Sequence, residues 1–174
     1  MWYSLNGKDP EYKYSYNYQN WYPSAKHETI NTRKNVGLFD LSSFSKFELK
    51  GETVHNELQK ICTANIKCEP GKTTYTQMLN KDGGIETDLS VVCINKNHFR
   101  IVSSAATREH DKIHIQKYLT NNVQLYDVTE DICCFGLFGP RSRDMMAKLS
   151  QDDFTNEGFK FGTAKFVKIR EIQV

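Results

Sequence analysis

The stretch YTQMLNKDGGIETDLSVV, residues 75 to 92, is the most informative part of the chain. Two runs of strand-forming residues flank Asn80-Lys81-Asp82-Gly83-Gly84, a composition typical of a β-hairpin turn. Side chains alternate along a strand, so the second run has two faces. One face holds Ile85, Thr87, Leu89, Val91 and Cys93, and the other holds Glu86, Asp88, Ser90 and Val92. We expect a hairpin that packs its first face against a core.

Asp88 is the first candidate functional residue, and two interpretations of it stay open. Alternating polar residues usually mark the solvent side of a half-buried sheet, and Glu86, Asp88 and Ser90 fit that pattern. A carboxylate at the floor of a cleft could instead bind or deprotonate an amine-bearing ligand. A carboxylate that is buried without a partner costs free energy, so the second interpretation requires a partner group.

Strands and helices are interspersed around this hairpin. Apolar residues at helical spacing predict a helix from about residue 52, with Val54, Leu58, Ile61 and Cys62 on its buried side. Further strands are predicted in FSKFELKG, at 74–79, 85–95 and 98–104, and in VQLYDV, ICCFGLFG and AKFVKIREIQV. Further helices are predicted after Thr107 and from Gly139-Pro140 to Leu149. The order predicts an α+β fold with a mixed, largely antiparallel sheet and packed helices.

Residues 1–25 differ from the rest of the chain. They hold both tryptophans and most of the tyrosines, with few aliphatic residues and no regular period. We expect an aromatic-rich arm or linker that packs its rings onto a domain formed by residues 26–174. A stacking surface for bases would need basic residues in a groove, and the local charge is too sparse for that.

Composition excludes several classes of protein. The 174 residues carry 23 basic and 21 acidic side chains, a net charge of +2, without the basic stripe of a nucleic-acid binder. No apolar run approaches the roughly 20 residues that cross a bilayer. The first residues lack the pattern of a secretory signal, and the five cysteines lack metal-type spacing. We expect reduced thiols and a cytoplasmic location, or the mitochondrial matrix in a eukaryote.

His110 and His114 lie four residues apart on a predicted helix, so both could face one metal ion. The zincin motif requires Glu directly after the first His, and Asp111 stands there instead. Two exposed histidines are the favoured interpretation, and we expect no metal site.

Four stretches taken together resemble a known family. VGLFDLSSFSKFELKG, YTQMLNKDGGIETDLSVV, FRIVSSAATREHDKIHI and DVTEDICCFGLFGPRSRDMM occur in this order. They resemble the first half of the folate-binding aminomethyltransferase domain of the glycine-cleavage T-protein. The C-terminal part of dimethylglycine and sarcosine dehydrogenases is more similar still. This resemblance covers roughly residues 10–174 and implies ferredoxin-like strand–helix packing.

The resemblance implies a tetrahydrofolate site centred on Asp88, which matches the aspartate that the family places beside the reactive nitrogens of the folate. In this role Asp88 would be catalytic, orienting the folate and assisting attack on the one-carbon unit. Tyr75 and Met78 match positions that would line the same pocket. Ser104 stands where the T-protein pattern has Asn, which keeps a hydrogen-bonding group with a shorter reach.

The resemblance also implies that part of the family domain lies outside these residues. The family continues past KIREIQV into an acidic glycine-rich segment that grips the pterin. No G-x-G-x-x-G fingerprint for FAD occurs in residues 1–174, so FAD is expected only on a domain absent from this chain. We therefore expect a fragment with little turnover by itself, whose site is completed by another domain or a separate chain.

Three alternatives to this function stay open. The scaffold could be a non-catalytic regulatory or assembly module that binds no folate. It could also demethylate another methylated donor, such as a sulfonium compound. A nucleic-acid-modifying relative of the scaffold is disfavoured by the weak basic character of the chain.

Overall fold

A computed structural model describes residues 10–174, and every element named below lies in that range. The helices are α1 (Tyr22–Lys34), α2 (Val54–Ile61), α3 (Arg108–Gln116) and α4 (Ser142–Leu149), with a short 3₁₀ turn at Ala105–Thr107 before α3. The strands are β1 (Gly37–Asp40), β2 (Ser45–Gly51), β3 (Thr73–Leu79), β4 (Ile85–Asn95), β5 (His98–Ser103), β6 (Val123–Asp127), β7 (Phe135–Phe138), β8 (Lys168–Ile169) and β9 (Ile172–Gln173).

Five of the strands form one sheet in the order β3-β4-β5-β2-β6, and every neighbouring pair is antiparallel. Along the chain, α2 and then β3 lie between β2 and β4, and α3 lies between β5 and β6. In the sheet, β5 lies between β2 and β4, and β2 lies between β5 and β6. This interleaving is the ferredoxin-like split βαβ arrangement, with β3 added at one edge. The predicted α+β class is confirmed.

The core lies between one face of this sheet and the helices α2 and α3. Alternate residues of β2, β4 and β5 point into it, and α2 contributes the side that the sequence predicted. Its members include Phe47, Leu49, Leu89, Val91, Phe99, Ile101, Val54, Leu58, Ile61 and Ile115, all at most 3% exposed. Burying a side chain of this kind stabilises the fold by about 1.5–3 kcal/mol. The opposite, outer face of the sheet carries the polar residues discussed below.

A second, two-stranded sheet pairs β1 with β7. Gly139 lies so close to the end of α1 that a Cβ at that position would be 2.4 Å from the Asn35 carbonyl oxygen. Its φ is +118°, so the position suits glycine on both grounds. The helix expected to open at Gly139-Pro140 begins at Ser142 instead, since the backbone N–H of Arg141 donates to the Asn35 carbonyl and holds the chain outside the helix.

The C-terminal stretch AKFVKIREIQV was predicted as one strand, and this is wrong. It folds back on itself as the hairpin β8–β9, in which Val167 and Val174 exchange backbone hydrogen bonds of 2.9 Å. Arg170 forms the turn with a φ of +56°, a conformation that is uncommon for a residue with a side chain. Sequence patterning gives no signal for such a turn.

The aromatic arm differs from its prediction in the part that the structure describes. Residues 1–9 lie outside the described residues. Tyr14 and Tyr16 are almost completely exposed, so their rings do not pack onto the following domain as expected. Helix α1 begins at Tyr22 and therefore crosses the expected boundary between residues 25 and 26.

Candidate functional site

The hairpin predicted from residues 75–92 forms as β3 and β4, and its turn is built around Asn80. The Asn80 side-chain oxygen accepts from the backbone N–H groups of Asp82 (3.0 Å) and Gly84 (2.9 Å). Gly83 adopts a φ of +81°, which glycine tolerates without strain. The turn fixes the register of the two strands, and this register decides which side chains meet Asp88.

The outer face of the hairpin carries a short row of polar side chains. Gln77 pairs with Asp88 across the two strands, and Tyr75 pairs with Ser90 one step further along the same face. Thr87 and Leu89 alternate with these residues and are buried on the core face, as predicted. Ile85 was expected beside them but is 69% exposed, because the register shifts after Met78 as the strands enter the turn.

Asp88 is exposed to solvent and engaged by its neighbours on β3. The Gln77 Nε2 amide donates to Asp88 Oδ1 over 2.8 Å. Gln77 is oriented in turn by Thr63, whose hydroxyl donates to Gln77 Oε1 over 3.3 Å. The interpretation of Asp88 as a buried anion is wrong for this chain, because residues 10–174 leave its carboxylate on the open face of the sheet. Its proposed role stays a prediction.

Tyr75 lies on the same face as Asp88 and interacts with it. A side-chain hydrogen bond with Asp88 raises the pKa of the Tyr75 phenol, and the Asp88 charge acts in the same direction. The raised pKa favours the neutral form of the phenol beside the Asp88 carboxylate. The Tyr75 side chain is 65% exposed, so one face of its ring is open to a ligand.

Met78 does not belong to this row, and its prediction as a second wall of the pocket is wrong. It is 0% exposed and packs in the core with α2. The physical reason is strand alternation: Tyr75 and Met78 are three residues apart, so their side chains point to opposite faces of β3. The spacing of three residues alone could have shown that Tyr75 and Met78 do not line the same pocket.

Ser104 lies just past the end of β5, one residue beyond the cross-strand pair Leu89–Ser103 and therefore beside Asp88 in the register. It is exposed, and its hydroxyl accepts from the Ala106 backbone N–H over 3.3 Å. This bond caps the 3₁₀ turn before α3. The structure thus brings Ser104 to the neighbourhood of Asp88 while engaging its hydroxyl locally.

A charged cluster that the sequence analysis missed lies further along the outer face. Glu48 on β2 sits among Arg100 Nη2 at 2.6 Å, His98 Nε2 at 3.0 Å and Lys50 Nζ at 3.1 Å. Burial alone would raise the pKa of the Glu48 carboxyl, but hydrogen bonds from Arg100 and Lys50 outweigh it and lower the pKa to about 2. The cluster contains more cationic groups than carboxylates.

The expectation that both histidines of α3 are exposed is wrong for His114, which is 5% exposed and packs beside Tyr118, whereas His110 is held by acidic neighbours. His110 lies 2.9 Å from Glu86 Oε2 through Nε2 and 3.2 Å from Asp111 Oδ1 through Nδ1. Asp111 is fully buried and also accepts from the hydroxyls of Thr87 and Thr107. Between residues 10 and 174, no group of three or more His, Cys, Asp or Glu side chains is arranged to hold a metal ion. This cluster ties α3 to β4.

Strand pairing is the signal that could have revealed Gln77 in advance. Gln77 and Tyr75 alternate on one face of β3, and a hairpin with a turn at residues 80–84 brings that face beside Asp88. The Glu48 cluster had no such local signal, because only Lys50 is its neighbour on β2, while Arg100 and His98 come from β5, which is distant in sequence.

Comparisons with known proteins cover nearly the whole chain. Residues 2–174 match the family described as GCVT N-terminal domain. The chain is 30% identical to the 4-methylaminobutanoate oxidase (formaldehyde-forming) of Paenarthrobacter nicotinovorans, an alignment that covers 98% of this chain and 21% of that protein. It is 28% identical to the mitochondrial dimethylglycine dehydrogenase of Rattus norvegicus, over 99% of this chain and 20% of that protein. The chain spans about a fifth of the length of these curated relatives.

A solved structure shares the fold. The chain superposes on glycine cleavage system aminomethyltransferase T from Bartonella henselae with a TM-score of 0.69 and 18% sequence identity. The superposition covers 92% of this chain and 44% of that one, and at this identity it establishes the fold alone. None of the helices within residues 10–174 has the length and apolar character needed to span a membrane.

Proposed function

Because the chain belongs to the GCVT N-terminal domain family, we propose that residues 26–174 form part of a tetrahydrofolate-binding domain that transfers one-carbon units. The membership confirms the resemblance, noted from the sequence, to aminomethyltransferases and to dimethylglycine and sarcosine dehydrogenases. In this proposal residues 1–25 precede the domain as an aromatic-rich arm.

The observation that carries the proposal is the polar group on the outer face of β3 and β4. Asp88 supplies an acceptor that Gln77 holds in place over 2.8 Å, and Tyr75 supplies a neutral phenol and an open aromatic face. A reduced pterin presents several N–H donors at the edge of a flat ring. A fixed carboxylate matches the donors and an aromatic wall matches the ring, so the residues present fit this ligand.

The chemistry expected of these residues is positioning and charge stabilisation. Tetrahydrofolate, when bound, supplies the nitrogen that accepts the one-carbon unit. Asp88 would accept a hydrogen bond from a ring N–H and stabilise positive charge developing on a neighbouring nitrogen. Gln77 would keep the Asp88 oxygens in one orientation, which lowers the cost of ordering them on binding.

The exposure of Asp88 has a direct consequence for this role. Water around a carboxylate screens its interaction with a nearby positive charge, and removing the water strengthens the interaction several-fold. We propose that polypeptide outside residues 1–174, in the same chain or in a partner chain, covers the outer face of β3 and β4. The 174 residues alone would then bind folate weakly and turn over little or no substrate.

The substrate class follows from the names of the relatives. Both 4-methylaminobutanoate and dimethylglycine are methylated amines, and the oxidase is described as formaldehyde-forming. For the whole protein we propose a one-carbon unit taken from a methylated amine, with FAD held by a domain outside residues 1–174. Location in the cytoplasm or the mitochondrial matrix is part of the same proposal.

Isothermal titration with tetrahydrofolate tests the proposed function. The samples are residues 1–174 and the longer natural polypeptide, each as the native sequence and as Asp88→Asn. We expect measurable affinity in the longer polypeptide, reduced about tenfold or more by Asp88→Asn, the effect of losing a charge-assisted hydrogen bond. Absence of folate binding by the longer polypeptide would overturn the proposal and favour a non-catalytic module.

Turnover assays separate the remaining enzymatic alternative. Sarcosine, dimethylglycine and a sulfonium donor are each supplied to the longer polypeptide, with formation of methylenetetrahydrofolate as the readout. Product from the methylated amines supports the proposal. Product from the sulfonium donor alone would instead support a demethylase of another specificity.

A further inference from the structure

Cys68 and Cys93 bring two free thiols together at the edge of the core. Cys93 lies on β4 and is 0% exposed, and Cys68 is half-buried and packs against the same core cluster. The Cys68 side chain interacts directly with the Cys93 thiol. A disulfide forms readily only where the backbone already holds two cysteines close together, so the backbone around this pair decides whether they can be linked.

A tight turn holds Cys68 beside Cys93. The turn is closed by the backbone N–H of Lys72, which donates to the Glu69 carbonyl over 3.0 Å. It binds both backbone groups of Cys93, because the Gly71 N–H donates to the Cys93 carbonyl over 2.8 Å and the Cys93 N–H donates to the Lys72 carbonyl over 2.9 Å. Cys68 comes directly before this turn, so backbone hydrogen bonds position it next to Cys93.

The two thiols differ in their reactivity. Burial is the main cause that raises the pKa of the Cys93 thiol to about 11, and the Cys68 thiol adds to the effect. The Cys93 thiol also donates to the Asn95 carbonyl over 3.5 Å. Cys93 is therefore protonated and inaccessible at neutral pH. Cys68 is partly accessible, so it is the first of the two to meet an oxidant in solution.

Cys62 and Cys133 provide comparisons within the same chain. Cys62 belongs to the same core, but burial alone raises the pKa of its thiol to about 12, without a contribution from another thiol. Cys133 is exposed just before β7. One is therefore a buried thiol outside the pair, and the other is a thiol that an oxidant reaches freely.

We propose that Cys68 and Cys93 form a reversible disulfide when the protein meets hydrogen peroxide, and that this disulfide fixes the segment 63–68 against the sheet. The Cys68 sulfur attacks one peroxide oxygen, the O–O bond breaks, and the departing hydroxide takes the Cys68 proton to become water, which leaves Cys68 as a sulfenic acid. The Cys93 sulfur then attacks the Cys68 sulfur and displaces hydroxide, which takes the Cys93 proton as a second water. In total the two thiols lose two hydrogen atoms, and the peroxide is reduced to two water molecules.

The segment that the disulfide fixes runs along the edge of β3. The Thr63 N–H donates to the Gln77 carbonyl over 3.0 Å, and the Ala64 N–H donates to the Thr76 hydroxyl over 3.0 Å. The Thr63 hydroxyl also orients the Gln77 side chain. A covalent link at Cys68 limits the opening of this segment, so oxidation should slow hydrogen exchange at the amides of Thr63 and Ala64.

Peptide mapping of the 174-residue chain after treatment with hydrogen peroxide tests the inference. Trypsin releases Cys68 in residues 68–72 and Cys93 in residues 82–96, so the disulfide joins these two peptides. We expect the joined pair to be the main oxidised product and to disappear on reduction with dithiothreitol. Cys133→Ser should form it as the native chain does, whereas Cys68→Ser and Cys93→Ala should not. A link from either residue to another cysteine, or conversion of Cys68 to a sulfinic acid without a link, would overturn the inference.

Thermal unfolding and hydrogen exchange test the effect of the link on the fold. A disulfide that closes a loop of this length should raise the unfolding midpoint of the native chain by about 5–10 °C. Reduced Cys68→Ser should unfold near the midpoint of the reduced native chain and show no rise after peroxide treatment. Slower exchange at Thr63 and Ala64 in the linked chain supports a fixed segment. A linked chain with an unchanged midpoint and unchanged exchange would contradict it.

Discussion

Gln77 and Asp88 face each other across the β3–β4 pair, and the Gln77 amide donates to Asp88 Oδ1 over 2.8 Å. A carboxylate on an exposed sheet face would otherwise sample several orientations. The hydrogen bond selects one of them, and the Thr63 hydroxyl selects the orientation of Gln77 in turn. The outer face of the hairpin is therefore ordered before a ligand arrives.

Replacing Gln77 should weaken folate binding without unfolding the protein. In Gln77→Leu the Asp88 carboxylate loses its fixed donor, and we expect affinity for tetrahydrofolate to fall about threefold to tenfold. Stability to urea should change by less than about 1 kcal/mol, since the site is exposed. Gln116→Leu, on the exposed end of α3, is the matched control for both measurements. Unchanged affinity in Gln77→Leu would show that Asp88 needs no orientation.

The Tyr75 phenol reports directly on Asp88. Because the hydrogen bond with Asp88 raises its pKa, Asp88→Asn should lower the Tyr75 pKa toward the ordinary value of about 10. The shift can be followed by the ring-carbon resonance of Tyr75 as the pH is raised. Asp82→Asn, in the hairpin turn, removes the same charge and should leave Tyr75 nearly unchanged. An unaltered Tyr75 pKa in Asp88→Asn would contradict the contact.

The low pKa of Glu48 predicts that the folded protein loses stability in acid. Its folded-state pKa of about 2 lies below the ordinary 4.5, so its contribution to stability is complete above about pH 4.5 and is lost as the pH falls toward 2. The contribution is on the order of 1–3 kcal/mol. Glu48→Gln should therefore destabilise the protein at pH 7 and flatten the stability profile between pH 4.5 and 2. Chemical unfolding across this range is the measurement, and exposed Glu109→Gln is the control. A native-like slope in Glu48→Gln would refute the assignment.

Substitutions of Met78 and of Tyr75 should have different effects, one on stability and the other on folate binding, since the two side chains lie on opposite faces of β3. Met78→Ala creates a cavity in the core and should destabilise the protein by about 2–5 kcal/mol. Tyr75→Ala should cost less than about 1 kcal/mol but weaken folate binding. Thermal unfolding and titration of both variants give the comparison. Loss of binding with intact stability in Met78→Ala would restore Met78 to the site.

Local pattern was sufficient to predict the parts of the fold that depend on neighbouring residues. The hairpin, the buried side of α2 and the two faces of β4 followed from period and turn composition. Features that depend on strand register or on partners distant in sequence could not be predicted from local pattern. Ile85 is exposed because of a register shift at the turn, and Glu48 acquires its partner Arg100 only when β2 and β5 pair.

The candidate site, too, was predicted from the sequence only in part. Resemblance to a family directed attention to Asp88 and Tyr75, and the structure brings these two together. It also proposed Met78, which strand alternation excludes. The interpretation of Asp88 as a carboxylate at the floor of a cleft came from the strand pattern, and residues 10–174 do not provide that burial. Burial of a side chain depends on everything that packs around it, so a local motif cannot determine it.

The most direct test of the central claim is to map tetrahydrofolate on the isotope-labelled 174-residue chain by nuclear magnetic resonance, which detects weak binding. The account predicts amide and side-chain shifts concentrated at Tyr75, Gln77, Asp88 and Ser90, and their loss in Asp88→Asn. Shifts confined to another surface, or shifts on this face that persist in Asp88→Asn, would contradict it.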